Sequence, residues 1–276
     1  MGKKKTGKNI HRKISLCLLV LFIFPFFSSC LTVTPYNAGF DKLPDSFDEF
    51  KIAVIADLHS YHFGKNQKRM IDRIMEQNPD MVVLVGDIID KHDRNIAKVR
   101  ELLEGIYRIY PVYAVAGNHE LINKSQFPEL LDAYREYGVV FLDGQTVLLE
   151  KEDNRIAVST AKLVPGKIYG MAHDSKPLYK DEFNIFLYHF GNEFDSISDE
   201  YDLVISGHVH GGVIRIFKKG LLGYNRGPIF FPKYTKGIYR KESGSVMVLS
   251  AGLGNTVFPR INNPREIVMI TLKIIE

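Results

Sequence analysis

From residue 51 onward, short runs of β-branched residues alternate with amphipathic segments. The runs at 52–56, 81–85 and 112–116 predict strands, and the segments between them, 67–77 and 96–109, predict helices. On the first helix Met70, Ile71, Ile74 and Met75 fall on one face. On the second, Ile96, Val99, Leu102, Leu103 and Ile106 do the same, as expected of a helix with a single apolar stripe. Strand, helix, strand, helix, strand in this order implies parallel strands with helices packed over them. Beyond residue 139 the helical period gives way to strands, predicted at 139–142, 146–149, 155–159, 184–188, 202–206, 213–217, 246–250 and 267–274. A second sheet packed on the first is the economical way to bury them. Residues 34–50 hold two prolines and no clean period, and read as a tether leading into a domain over 51–276.

At 276 residues, with 45% hydrophobic and 12% aromatic side chains, the chain has ample material for a buried core, which excludes intrinsic disorder. The net charge of +4 changes its meaning once located. Residues 1–33 hold six basic side chains (Lys3, Lys4, Lys5, Lys8, Arg12, Lys13) and no acidic one, and the remainder carries 30 basic against 32 acidic residues. The globular part has no surplus with which to grip a phosphate backbone, so no nucleic-acid partner is expected. The leader passes from its basic stretch through an apolar run at 14–27, interrupted by Pro25, to Ser28-Ser29-Cys30, the layout of a secretory signal. Extended to Val33, it holds about 20 uncharged residues, enough to span a bilayer. Residues 1–33 therefore read as a signal cleaved before Cys30, as a retained single-pass anchor or, third, as a buried helix of the fold. Phe27-Ser28-Ser29-Cys30 resembles a bacterial lipoprotein box, which would leave Cys30 lipidated. Either of the first two outcomes predicts a membrane-associated protein with its globular part on the extracytoplasmic side. Both cysteines, Cys17 and Cys30, lie in the leader, so any bound metal must take nitrogen and oxygen ligands.

In an α/β sheet, ligands gather beyond the carboxyl ends of the strands. The polar residues of this chain sit at those points. The run 52–56 leads into Asp57-Leu58-His59, 81–85 into Gly86-Asp87, and 112–116 into Gly117-Asn118-His119. The run 185–188 ends at His189, and 203–206 at Gly207-His208-Val209-His210-Gly211-Gly212. Taken singly, an Asp after a strand is usually a cap or turn residue, and a His a hydrogen-bonded surface residue. Five strand ends that each carry His, Asp or Asn rarely coincide by chance, and together they supply the donors of a metal centre. Strand alternation would send His208 and His210 the same way. Gly86, Gly117 and Gly207 each precede a candidate ligand, where a side chain would block close backbone approach or a positive φ. Asp90 reads as a group that orients a ligand or caps a helix, and His62 as a candidate substrate contact.

These residues resemble the motif series of the calcineurin-like metallophosphoesterases. The chain has DLH at 57–59, GDIID at 86–90, GNHE at 117–120, His189 in LYHF and GHVH at 207–210, in the family's order. The resemblance runs from about Lys51 to the end and implies a four-layer α/β/β/α sandwich of two mixed sheets flanked by helices. It implies two divalent metal ions (Mn, Fe or Zn), with Asp87 bridging them through its two carboxylate oxygens. Asp57, His59 and His210 would complete one ion, and Asn118, His189 and His208 the other. A hydroxide between the ions would be the nucleophile, and His119, not itself a ligand, would act as general acid over the leaving oxygen. Two positions depart from the family pattern, Phe190-Gly191 after His189 and Val213 after GHVHGG. Neither removes a ligand, and both bear on substrate preference. The tail at 252–272 resembles that of the membrane-associated bacterial branch, which acts on phospholipid-like or lipid-linked substrates and includes UDP-2,3-diacylglucosamine pyrophosphatases. That likeness implies that Arg260 contacts a phosphate. The expected function is hydrolysis of a phosphodiester or pyrophosphate on a lipid-linked or envelope substrate. The alternatives are a non-catalytic scaffold, a phosphomonoesterase or a nuclease of the same fold. Retention of seven ligands and His119 argues against the scaffold, and the slightly acidic globular part against the nuclease.

Overall fold

The computed structural model describes residues 30–216, 219–224, 228–256 and 258–275. The leader at 1–29 lies outside them. Among the described residues no helix is long and apolar enough to cross a membrane. In chain order the elements are β1 (Leu31–Phe40), β2 (Lys51–Ile55), α1 (Lys68–Met75), β3 (Met81–Val85), α2 (Ala97–Ile106), β4 (Val112–Val115), α3 (Asn118–Ile122) and α4 (Phe127–Glu136). Then follow β5 (Val140–Phe141), β6 (Thr146–Lys151), β7 (Asn154–Ser159), β8 (Phe183–Phe190), β9 (Leu203–Gly207), β10 (Arg215–Ile216) and β11 (Lys219–Gly220). The chain closes with β12 (Leu222–Tyr224), β13 (Pro228–Phe230), β14 (Gly237–Arg240), β15 (Val246–Leu249) and β16 (Arg265–Ile274).

Two six-stranded mixed sheets, β1-β16-β2-β3-β4-β5 and β14-β15-β9-β8-β7-β6, pack face to face. The period of two along each strand decides what goes where. Ala53 and Ile55 of β2, with Val82 and Leu84 of β3, face the helices and meet Met70, Ile74, Val99, Leu102, Leu103, Ile106, Leu130 and Tyr134. Ile52 and Val54, with Val83 and Val85, face the other sheet and meet Val158, Ile185, Leu187, Leu203, Ile205 and Val248. Strands buried on both faces read as unbroken apolar runs, and each such Val, Leu or Ile contributes about 1.5–3 kcal/mol on burial. The fourth layer is thin. The outer face of the second sheet, through Phe186, Tyr188, Val204 and Met247, is covered by a 3-10 turn at Gly191–Ser196 and by loop residues such as Tyr201 and Tyr234.

Three expectations are corrected. The segment 34–50 is not a tether: β1 pairs with β16 in parallel from Leu31↔Arg265 to Phe40↔Ile274, so the fold reaches back to Leu31. Phe40, Leu43, Phe47 and Phe50 are all buried between the sheets. Pro35 misled because proline suits an edge strand, and β1 is one. The strand predicted at 213–217 shrinks to β10, which pairs only with β11 in a small ribbon. Last, β5 and β16 join the first sheet instead of the second, with β16 running antiparallel to β2.

Candidate metal centre

β2, β3 and β4 are parallel neighbours, so the residues that follow them, Asp57, Asp87 and Asn118, emerge side by side. In the second sheet β8 and β9 are parallel neighbours and bring His189 and His208 to the same end. The chain turns sharply as it leaves the strands: Asp57, His59, Asp87, His208 and His210 all have positive φ. Each such conformation costs on the order of 1–3 kcal/mol and persists only where neighbours hold it. Here the Asp57 N–H donates to Gly86 O (3.0 Å), the His59 N–H to Asp87 O (2.9 Å) and the Ser60 N–H to Ile88 O (2.9 Å), lacing the first two loops together. Space is equally tight. A Cβ at Gly117 would lie 2.3 Å from Asp87 Oδ1, and one at Gly207 2.6 Å from Asp57 Oδ2, so only glycine lets these loops close on the carboxylates.

Six of the seven candidate ligands converge in two groups. Asp57, His59 and His210 bring one donor atom each within 4.8 Å of one another, and so do Asp87, His189 and His208. His59 Nε2 and His210 Nε2 face each other at 3.3 Å, and His210 Nε2 is 3.7 Å from Asp57 Oδ1. In the other group His189 Nε2 is 3.2 Å from Asp87 Oδ2. Its Nδ1 bonds Val85 O at 2.9 Å, which turns Nε2 inward. Asn118 Oδ1 and His208 Nε2 are buried without a hydrogen-bond partner. Polar atoms so placed are costly unless something binds them, and their joint position beside Asp87 is what a cation would satisfy. Two expectations about geometry change. Asp87 Oδ1 accepts the His119 N–H at 2.7 Å, and Oδ2 is the oxygen that lies 3.9 Å from His59 Nε2 and 3.2 Å from His189 Nε2. His208 and His210 do not alternate along a strand: β9 stops at Gly207, and the left-handed turns at both histidines send His208 to one group and His210 to the other.

Burial pushes the Asp57 carboxyl up, against the pull of His189. It opposes ionisation of Asp87 too, yet the imidazoles of His189, His119 and His59 hold that carboxyl well below the usual range. Burial lowers His208 to about 3 and His210 well below an ordinary histidine, leaving both as neutral bases. Burial pulls His189 down as well, but the Asp87 and Asp57 charges prevail and raise it to about 10. Without a cation, a proton on His189 therefore neutralises Asp87; a bound cation takes that proton's place.

A residue that the sequence reading passed over organises this centre. Glu120, buried at the start of α3, accepts four backbone N–H groups: Asp87 (2.8 Å) and Gly117 (2.7 Å) at Oε2, Ile88 (2.7 Å) and Ile89 (3.1 Å) at Oε1. One carboxylate thus ties the GDIID loop to the GNHE loop. The signal was present in the sequence, since a Glu three residues after Gly117 stands where a helix-start carboxylate reaches back. Asp90 does orient histidines: its Oδ2 lies 3.4 Å from His59 Nδ1 and 3.2 Å from His119 Nδ1, and these two imidazoles hold its carboxyl far below the usual range. Asp93 accepts from the Ser60 hydroxyl and the Asp90 N–H, and Asn123 Nδ2 donates to Asp90 O and Asp93 O, which fixes the loop.

His119 stands at the rim of both groups, with Nε2 3.9 Å from Asp87 Oδ2. Its Nδ1 can accept the Lys91 N–H at 3.0 Å or donate to Asp90, but not both at once. In the second state, with Nδ1–H held by Asp90, a ring that also carries a proton on Nε2 can give that proton away and return to the neutral imidazole. The centre floors a cleft of about 500 Å³ that Tyr169, Ile122, Val213, Leu222 and Phe258 also line, with Lys91 and His92. His62 is not part of it and faces Glu101 at 3.8 Å. Arg260, expected at a phosphate, is not among the residues that line the cleft. It is buried, donating to Gly254 O (3.0 Å) and Ala251 O (2.8 Å), and lies 3.4 Å behind His210 Nδ1.

The calcineurin-like phosphoesterase family model matches residues 50–212. An uncharacterized metallophosphoesterase of Campylobacter jejuni is 30% identical over 99% of this chain and 74% of its own length. The phosphodiesterase YaeI of Escherichia coli is 26% identical over 83% of this chain and 84% of its own. Among solved structures, a dimetal phosphatase from Danio rerio aligns with 74% of this chain and 88% of that one, at 14% identity and a TM-score of 0.44.

Proposed function

The chain belongs to the calcineurin-like phosphoesterase family and is a metal-dependent hydrolase of phosphoric esters, and from that premise we propose that it cleaves phosphodiester or pyrophosphate bonds of an amphiphilic, lipid-linked substrate. The observation that carries the reading is the gathering of Asp87, His189 and His208 with two buried, unpartnered atoms, Asn118 Oδ1 and His208 Nε2, at the floor of an open cleft. Asp57, His59 and His210 would hold one divalent ion, Asn118, His189 and His208 a second, and Asp87 Oδ2 stands between the two groups. Nitrogen and oxygen donors of this kind suit Mn, Fe or Zn. Bound there, two cations would supply an acidified water and offset the charge of the phosphoryl oxygens.

The chain's own residues do the rest. With Nδ1–H held by Asp90, His119 would present Nε2–H to the cleft, placed to protonate a leaving oxygen. Glu120 holds the two loops that carry Asp87 and Asn118 in register. The lining by Tyr169, Leu222 and Phe258 favours a substrate with an apolar part beside its phosphate. The E. coli relative's name as a phosphodiesterase supports a diester. The apolar leader supports a lipid-linked substrate, at the extracytoplasmic face of a membrane. The test is turnover of bis(para-nitrophenyl) phosphate by the chelated protein reloaded with Mn, Fe or Zn, beside Asp87→Asn. Activity that returns with metal and vanishes in the variant is expected; metal-independent turnover, or full activity in Asp87→Asn, would refute the reading.

A further inference from the structure

We infer that the apolar rim of the cleft docks on a lipid bilayer, so that the metal centre opens onto the membrane surface and draws amphiphilic phosphoesters from it. The inference rests on the reading of the cleft as a phosphoester site. It starts from three phenylalanines that the fold leaves in water: Phe230 is 74% exposed, Phe231 69% and Phe258 52%. Large apolar side chains grouped at one spot mark an interaction surface, whereas single ones do not.

The grouping follows from the backbone. β11, which leads directly into the β12–β13 ribbon, packs on the turn at His210–Gly212, so closely that a Cβ at Gly212 would lie 2.5 Å from Gly220 Cα. Leu222 lines the cleft, and Phe230 is its directly opposed partner across the ribbon. Opposed residues of an antiparallel pair share a face, so Phe230 extends the cleft wall outward. The Phe231 N–H donates to Leu221 O at 3.0 Å, and its left-handed φ of 53° ends the ribbon, leaving Phe231 exposed beside Phe230 at the ribbon's end. Phe258 lines the cleft from the loop that Arg260 clamps to Ala251 and Gly254. The phosphate-binding floor is polar and its lip is apolar, the arrangement that an amphiphile with a phosphate head requires.

What covers this lip is indicated by where the chain before it leaves the domain. β1 starts at Leu31, paired with Arg265. In the register of β16 with β2, where Val268 opposes Val54, Arg265 comes level with Asp57. Cys30 therefore sits at the metal-centre end of the first sheet. β1 is two strands from β2, which places the exit about 10 Å sideways from the strand that leads to Asp57. The apolar run at 14–27 ends just before it. A bilayer that takes up this run meets the end of the domain bearing the cleft and the three phenylalanines, and not the opposite end. Two independent features, the exposed rim and the point of exit, thus face one plane, and aromatic side chains at that level are suited to the headgroup boundary.

The chain contains no tryptophan, so Phe230→Trp gives a single reporter in the full-length protein. In vesicles of phosphatidylethanolamine and phosphatidylglycerol, its emission should shift to the blue and be quenched by brominated acyl chains. Ile109→Trp, half exposed just before β4 at the far end of the strands, should show neither. Emission from Phe230→Trp that stays water-like and unquenched overturns the docking. In parallel, Phe230→Asp/Phe231→Asp should lower turnover of vesicle-held dodecyl para-nitrophenyl phosphate by about tenfold, with bis(para-nitrophenyl) phosphate turned over as before. Equal rates of the parent and the double variant on vesicles, or a dimer that the double variant splits in detergent, also overturn it. If the parent cleaves neither ester, the phosphoester reading fails by itself, and the quenching experiment still decides whether the rim enters lipid.

Discussion

Replacing Glu120 with Gln probes the one carboxylate on which both central loops hang. Each of its oxygens serves two backbone donors, Oε2 those of Asp87 and Gly117 and Oε1 those of Ile88 and Ile89. A glutamine keeps one oxygen and turns an NH₂ group toward the other pair, whichever way its amide is placed. Two buried N–H groups then lose their acceptor at about 1–3 kcal/mol each, or about 2–6 kcal/mol together. The Asp87 charge, which together with burial pushes the Glu120 carboxyl up, is relieved of a neighbour. That relief offsets part of the cost and leaves about 2–4 kcal/mol. For a chain of this size the loss corresponds to a Tm lowered by about 4–16 °C. The assay is thermal unfolding of parent and variant after chelation, followed by metal content after reloading. The variant should melt early and hold less than the parent's metal, because Asp87 and Asn118 lose their common support. A Tm within about 2 °C of the parent, with full metal content, would refute the role given to Glu120.

Gly117→Ala forces a Cβ to within 2.3 Å of Asp87 Oδ1, and a displacement of that carboxylate should lower turnover by about a hundredfold along with metal content; retention of both would show that the loops have room to spare. His119→Ala should keep its metal and lose about 10²–10⁴ in kcat on a diester with an alkoxide leaving group, but much less on a nitrophenyl ester, whose leaving group needs no proton. Equal losses on both would make His119 a binding residue instead of an acid. In the metal-free protein His189 is raised to about 10, so its pairing with Asp87 stabilises the fold fully below the ordinary histidine value and fades as pH rises toward 10. Because a cation displaces that proton, metal uptake at about pH 8 should release about one proton per chain, read by calorimetry in buffers of different ionisation enthalpy; no release would contradict the assignment.

The positions of the ligands along the chain were legible because the rule that places them is local. An apolar run buried on both faces must be a strand, and a polar residue just past it must lie at a sheet's edge. That reasoning located Asp57, Asp87, Asn118, His189 and His208 without coordinates. The sequence alone likewise determined the two-sheet α/β class and the absence of thiolate ligands. Tertiary structure decided what depends on partners distant in the chain. β1 was hidden because its proline is tolerable only at an edge, and an edge is defined by the pairing with β16, more than two hundred residues away. Glu120 was passed over because its four donors come from two loops, and Arg260 was misplaced because its burial depends on the carbonyls of Ala251 and Gly254. The division of the histidines between the two groups was already implied by the family resemblance; what the tertiary structure added is the means, left-handed turns at His208 and His210 that packed neighbours hold. A sequence states which residues must be buried and where the chain may turn; which groups then meet is settled by packing, since contacts across long loops have no local signature.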